Sequence, residues 1–230
     1  MSEGLRARVA IVDYGLGNLF SIQHACRHAG MDVMVTVSKT EILEADAVLL
    51  PGVGAFGDAM QALRRLDLVS VLKDVAASDT RLIGICLGMQ LLMMESEEFG
   101  RHRGLGILEG RVVRLLQEST HPGARRLKVP EVGWNCIREA QAGRWEGTLL
   151  EGVPDGAFMY FVHSFVVQPD DPTMVVSLTR YGPNDYCSTL QRGHLFACQY
   201  HPERSGPQGL RIYQRLASQL SESLSEAPQA

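Results

Sequence analysis

The 230-residue chain lacks any run of about 18 consecutive apolar residues, so nothing in it reads as a membrane-spanning helix. Its opening, Met-Ser-Glu-Gly-Leu-Arg-Ala-Arg, holds no long apolar segment of the secretory kind. It also lacks a basic block, and with a formal charge of −4 this argues against a nucleic-acid partner. Five cysteines, an odd number without paired spacing, exclude a disulfide framework and point to reduced thiols. No linker or internal repeat interrupts the chain. Together these absences lead to the expectation of a soluble cytoplasmic protein. A hydrophobic content of 45% against 21% charged residues provides for a well-covered core. One domain over residues 1–230 is expected, with 1–7 and about 222–230 frayed because the end is poor in apolar residues.

The first half alternates strand and helix patterns. Arg8 to Asp13, Asp32 to Val37 and Ala47 to Leu50 read as strands. Asn18 is placed to cap a helix running to Ala29, with Gly30 just beyond its end. Helical patterns follow over Phe56 to Arg65 and Leu68 to Ala77. This alternation predicts a mostly parallel central sheet flanked by helices. From Leu105 onward the pattern changes to short β-rich runs separated by Gly, Pro and Asp turns. They are Arg111–Leu116, Ala157–Val162, Met174–Thr179, Cys187–Gln191 and Leu195–Tyr200, and they predict an added antiparallel portion in the C-terminal half. Gln208 to about Leu220 reads as a closing helix.

The segment richest in chemistry is Arg81-Leu-Ile-Gly-Ile-Cys86-Leu-Gly-Met-Gln-Leu-Leu-Met-Met94. Leu82 to Ile85 has the length of a buried strand, and Leu87 to Met94 is rich in helix formers. Between them Gly84-x-Cys86-x-Gly88 is the thiol form of a nucleophile elbow. So sharp a turn requires small neighbours and places the sulfur at a helix N-terminus, where thiolate is favoured. A thiolate nucleophile needs a base, and the base needs an orienting partner. Of seven histidines (His24, His28, His102, His121, His163, His194, His201), only His201 has a carboxylate usefully near, in His201-Pro-Glu203. Pro202 keeps His201 extended, so that Glu203 falls on the same side as the ring. Such a set attacks a carbonyl carbon through a tetrahedral oxyanion. The Leu87 N–H is one donor to that oxygen, and the loop Leu50-Pro51-Gly52-Val53-Gly54 is the candidate for the second.

Two other patterns point elsewhere. Gly52-x-Gly54-x-x-Gly57 matches a dinucleotide fingerprint in form, but it is not in the first strand–helix–strand unit and lacks the acid that should end the next strand. His24 and His28 have a zinc-compatible spacing without a third ligand nearby. No metal and no cofactor is expected.

These pieces resemble the class I (triad) glutamine amidotransferases, from about Val9 to Leu216. Gly-Ile-Cys86-Leu-Gly-Met-Gln and the terminal Gln-Tyr-His201-Pro-Glu203 carry the likeness. Further segments are similar to those family members that feed ammonia to a cyclase in histidine biosynthesis. They are Asp13-Tyr-Gly-Leu-Gly-Asn18, Pro51-Gly-Val-Gly54, Val132-Gly-Trp-Asn135, Tyr160-Phe-Val-His-Ser164 and His201-Pro-Glu-Arg-Ser-Gly206. The resemblance implies Cys86 as nucleophile, His201 as acid and base, and Glu203 as its orienter. It implies the N–H groups of Val53 and Leu87 as oxyanion hole, and Gly52, Gln90, Glu98, Ser164 and Phe165 around bound L-glutamine. It further implies a heterodimer with a (β/α)₈-barrel cyclase, which forms imidazole glycerol phosphate and an aminoimidazole carboxamide ribonucleotide, with Trp134 and Asn135 near the contact. The chain departs from the family at Glu131-Val132, where His-Met is usual, and at Phe165, where Tyr is usual. The first departure keeps open a different synthase partner, as in surface-sugar amidation. A stand-alone thiol hydrolase would turn over without a partner, and a non-catalytic dinucleotide-binding module would be indifferent to loss of Cys86.

Overall fold

Residues 6–117 and 127–226 are described by the computed structural model. The expected fraying of 1–5 and 227–230, and His121, lie outside the described residues. The N-terminal half runs β1 (Arg8–Val12), α1 (Leu19–His28), β2 (Asp32–Thr36), α2 (Lys39–Leu43), β3 (Ala47–Leu50), α3 (Phe56–Arg65), α4 (Val69–Ala77), β4 (Arg81–Ile85) and α5 (Leu87–Leu91). The short strands β5 (Glu95–Ser96) and β6 (His102–Arg103) follow, then β7 (Gly110–Arg114), β8 (Glu131–Cys136), β9 (Arg138–Glu139), β10 (Phe158–His163) and β11 (Phe165–Pro169). The chain closes with β12 (Val175–Tyr181), β13 (Asn184–Arg192), β14 (Leu195–Cys198) and α6 (Gly206–Glu226).

The central sheet has eight strands in the order β2-β1-β3-β4-β14-β13-β12-β9. Its first five are mutually parallel and the rest antiparallel, so the C-terminal strands extend the parallel sheet instead of forming a separate layer. Along β1, Val9 and Ile11 face one core with α1 and α6, while Ala10 and Val12 face the other with α3, α4 and α5. Period-two alternation with both faces apolar is what a doubly covered parallel strand requires. Two smaller sheets, β10-β8 and β11-β7-β5-β6, stand beside it.

Several expectations are corrected. Residues 222–226 continue α6 instead of fraying, and Ala7 is buried, its carbonyl accepting from Asp32 N–H. Asn18 precedes α1 without a side-chain capping bond. Helix α5 stops at Leu91 because the N–H groups of residues 104–108 take the carbonyls of Leu91, Leu92, Met93 and Met94. A loop that approaches from outside thus replaces the next helical turn.

Gly88 is where α5 crosses β3. A Cβ there would run into the Leu50 carbonyl oxygen. Backbone cannot yield as a side-chain tip can, so Gly88→Ala is expected to destabilise the fold by about 3 kcal/mol or more, read as a lower urea midpoint with unchanged slope.

Candidate active site

Strand β4 and the following helix hold Cys86 in a backbone conformation of φ 54° and ψ −109°, outside the regions that side chains prefer. Such a residue costs on the order of 1–3 kcal/mol and persists only where its surroundings enforce it. Here the Cys86 N–H donates to Cys198 of the neighbouring strand β14 at 2.8 Å, and the Cys86 carbonyl accepts from Gln90. The sulfur is 3.6 Å from Gln199 Nε2 and 3.9 Å from the Val162 carbonyl. It therefore meets a side-chain N–H directly, in addition to the end of a helix only five residues long.

Strand β14 runs parallel to β4 and leads straight into His201. The His201 N–H donates to Tyr160 at 2.9 Å, and its carbonyl accepts from the Ser205 hydroxyl at 2.6 Å. Nδ1 lies 2.9 Å from Glu203 Oε1. The route to that contact differs from the expected strand alternation. Pro202 to Arg204 form a 3₁₀ turn, which folds Glu203 back onto the ring. Burial opposes a charge on His201, but the neighbouring Cys86 sulfur and the Glu203 carboxylate outweigh it and raise the imidazole pKa to about 10. Among the described residues, Nε2 has no hydrogen bond of standard geometry. Sulfur and ring thus influence each other strongly before the bond between them is aligned, as catalytic pairs do without substrate.

A cavity of about 400 Å³ opens on the sulfur, lined by Cys86, Leu87, Gln90, Glu98, Ser164 and Phe165 among others. Four of the predicted substrate-side residues, Gln90, Glu98, Ser164 and Phe165, are therefore brought together, and Gly52 is not among the lining. Two of them also have structural partners: Glu98 Oε2 accepts from the Phe56 N–H at the start of α3, and Gln90 Nε2 donates to Phe165 O and Gln199 Oε1, each at 3.0 Å. Gly52 packs against the elbow so closely that a Cβ would meet Leu87 Cβ at 2.9 Å.

The oxyanion donors are not assembled. The Leu87 N–H points to the Gly52 carbonyl at 3.4 Å. In a trans peptide the carbonyl and the next N–H point opposite ways, so the Val53 N–H is turned from the site. Gly52 presents its oxygen where the expectation placed a donor.

Trp134 and Asn135 alternate along β8 and face opposite sides. Trp134 is 56% exposed beside Val132 and Phe158, whereas Asn135 donates inward to Glu131 and to the Arg180 carbonyl. Asn135 is accordingly tied to the interior, and only Trp134 of the pair presents its side chain outward. Trp134 meets Tyr160 edge-on, and the Arg204 guanidinium sits 4.5 Å over the Tyr160 ring, so an aromatic–cation stack leads from this exposed face to the cavity mouth. Sequence reasoning missed Gln199, Arg204 and Tyr160. A signal existed for Gln199: it is a polar residue directly after the apolar strand β14, two positions before His201.

Of the remaining motifs, Gly57 faces the His102 ring, which a Cβ would meet at 2.9 Å, and Gly54 holds a φ of 106°, so the glycine run after β3 is explained by packing and backbone conformation. Among the described residues no group of three or more His, Cys, Asp or Glu could hold a metal ion, and no helix is long and apolar enough to cross a membrane.

A buried thiol at a strained elbow, with a carboxylate-held histidine from the next strand and a cavity over the sulfur, is equipped for thiol-dependent acyl transfer. Residues 10–219 match the model of the family described as glutamine amidotransferase class-I. The chain belongs to that family, and it is a glutamine amidotransferase. An imidazole glycerol phosphate synthase subunit HisH from Rhodopirellula baltica is 41% identical over 91% of this chain and 97% of its own length. One of the same name from Moorella thermoacetica is 44% identical over 89% and 91%. Among solved structures, PurLQS from Thermotoga maritima has a TM-score of 0.67 at 20% identity, covering 94% of this chain and 100% of that one, a likeness of fold alone.

Proposed function

We propose that this chain is the glutaminase subunit of an imidazole glycerol phosphate synthase. It hydrolyses L-glutamine to glutamate and ammonia through a thioester on Cys86. The observation that carries this reading is a Cys86 that opens on a cavity and is coupled to the Glu203-held His201, in a chain about 40% identical to such subunits over nearly its whole length.

The Cys86 thiolate attacks the side-chain amide carbon of glutamine, and the carbonyl oxygen takes up the electron pair. The N–H groups of Leu87 and Val53 bond that oxygen once the Gly52–Val53 peptide has rotated, which the glycine permits. Protonated His201 gives its proton to the amide nitrogen, the C–N bond breaks, and ammonia leaves a thioester. Water then loses a proton to His201 and attacks the thioester carbon. Collapse releases glutamate and restores the thiolate and the imidazolium. Gln90, Glu98, Ser164 and Phe165 line the pocket for the glutamine backbone and side chain.

Ammonia is protonated near neutral pH and would be lost to solvent, so a second chain covers the site: a (β/α)₈-barrel cyclase forming a heterodimer. Trp134, Val132 and Phe158 make an exposed apolar face beside the cavity, the kind of surface partners cover. The test is to co-purify the chain with a candidate cyclase and measure glutamate release with and without the cyclase's nucleotide ligand. Stable association and ligand-stimulated release are expected, and Trp134→Ala should weaken association by about tenfold or more. Absence of association, or turnover of glutamine at full rate by the chain alone, would refute the reading.

A further inference from the structure

Glu131 occupies one of the two places where the chain departs from its family's usual motif, and its side chain is buried. Asn135 Nδ2 donates to Glu131 Oε1 at 2.8 Å. Tyr186 Oη lies 2.9 Å from Glu131 Oε2 and 3.2 Å from His163 Nε2. His163 Nδ1 lies 3.0 Å from the Phe165 carbonyl. That carbonyl also accepts from Gln90, which donates to Gln199, which faces the Cys86 sulfur. A continuous hydrogen-bonded path therefore joins strand β8 to the nucleophile.

Its direction follows from which atoms can donate. The Asn135 amide is fixed by its own partners: Oδ1 accepts from the Cys136 N–H and Nδ2 donates to the Arg180 carbonyl. Glu131 Oε1 must therefore accept, and any carboxyl proton sits on Oε2, facing Tyr186. At the other end the Phe165 carbonyl can only accept. His163 Nδ1 must carry a proton, and so must the Gln90 nitrogen facing the same oxygen. The Gln90 N–H then requires an oxygen on Gln199, which turns the Gln199 N–H toward the sulfur.

The 3.5 Å approach of His163 Nε2 to Glu131 Oε2 would also suit an ion pair. Burial opposes it from both sides, lowering the His163 pKa to about 3 and raising that of Glu131. The nearby positive charge of His201 further disfavours a second cation. Tyr186 keeps its proton, since burial pushes its pKa well upward. The arrangement that pairs every one of these groups without a buried charge has Glu131 O–H donating to Tyr186 and Tyr186 O–H donating to His163 Nε2.

We propose that Glu131, Tyr186 and His163 are positioning residues, a one-way hydrogen-bond relay that selects the Nδ1–H tautomer of His163, ties down the Phe165 carbonyl, and so aims the Gln199 N–H at Cys86. Gln199 is then a further catalytic residue, since it touches the reacting sulfur and favours its thiolate. The inference rests on the reading of Cys86 as nucleophile. It accounts for a glutamate at position 131, because an un-ionised carboxyl supplies the donor and the acceptor that the site demands.

The test uses the chain with its cyclase for glutamate release, and the chain alone for two further readouts: the pH profile of iodoacetamide alkylation at Cys86, and the ring ¹⁵N resonances of His163. Tyr186→Phe keeps the ring and removes the relay. It is expected to lower kcat roughly 10- to 100-fold with little change in KM, to move Cys86 alkylation to higher pH, and to mix the His163 tautomers. Glu131→Leu should do the same. Glu131→Gln preserves a donor toward Tyr186 and an acceptor toward Asn135, and is expected to restore kcat and the alkylation profile to near those of the parent. Gln199→Leu should shift the alkylation profile without changing the His163 tautomer. The inference is overturned if Tyr186→Phe leaves kcat, profile and tautomer unchanged, or if Glu131→Gln is as impaired as Glu131→Leu. Retention of glutamate release by Cys86→Ser would instead refute the underlying reading, so the two failures are distinguishable.

Discussion

Cys86→Ser is expected to lower glutamate release by the assembled complex by about 10⁴-fold or more, on the scale seen when a covalent nucleophile is removed elsewhere. The site is tuned for sulfur. Gln199 and the His201 imidazolium favour a thiolate at this position. A hydroxyl is far harder to ionise, and its smaller oxygen would stand farther from the Gln199 N–H. The fold should be indifferent, because Cys86 φ and ψ are enforced by bonds from its backbone to Cys198 and Gln90. The measurement is glutamate release under saturating glutamine, beside a thermal melt. Retained turnover would mean that another group forms the acyl bond.

Glu203→Gln should cost on the order of 10³- to 10⁴-fold in kcat, by analogy with the loss of the orienting carboxylate in other nucleophile–histidine–acid sets. Its carboxylate is sealed from solvent and bonds His201 Nδ1 at 2.9 Å. An amide there supplies either a neutral oxygen, which supports an imidazolium less well, or an N–H, which forces the wrong tautomer. The substitution also has a pH signature. The folded-state pKa of His201 is raised to about 10 from 6.5, so the stabilisation is complete below about 6.5 and fades as pH rises through 10. The stability gap between the parent and Glu203→Gln, measured by urea denaturation, is therefore expected to be widest at the acid end of that window and to close at the alkaline end. A gap that widened with pH would contradict a charged ring.

The parts of this site legible in the sequence are those written in contiguous residues. The elbow around Cys86 is a strand, two glycines and a helix start in order, and His201-Pro-Glu203 is one turn. Bonds between distant segments leave little trace. Gln199 and Gln90 meet although neither local pattern calls for the other, and the Glu131–Tyr186–His163 cluster joins β8, β13 and β10. Helix formers at residues 92–94 favour a longer α5 than the loop at 104–108 allows. The orientation of the oxyanion loop is not written in its residues, because a glycine licenses both orientations of its peptide and only the packed structure shows which one is adopted.

The parallel ladder between β4 and β14 also bears on biogenesis. Cys86 is translated early, yet Gln199, which meets its sulfur, lies 113 positions downstream, and His201 follows later still. A nascent chain stalled anywhere before β14 has an elbow with no ring and no orienting acid, so it stays chemically mute while still on the ribosome. Activity appears only when the last central strand slots between β4 and β13, a closure of long-range contacts that belongs among the slower steps of folding.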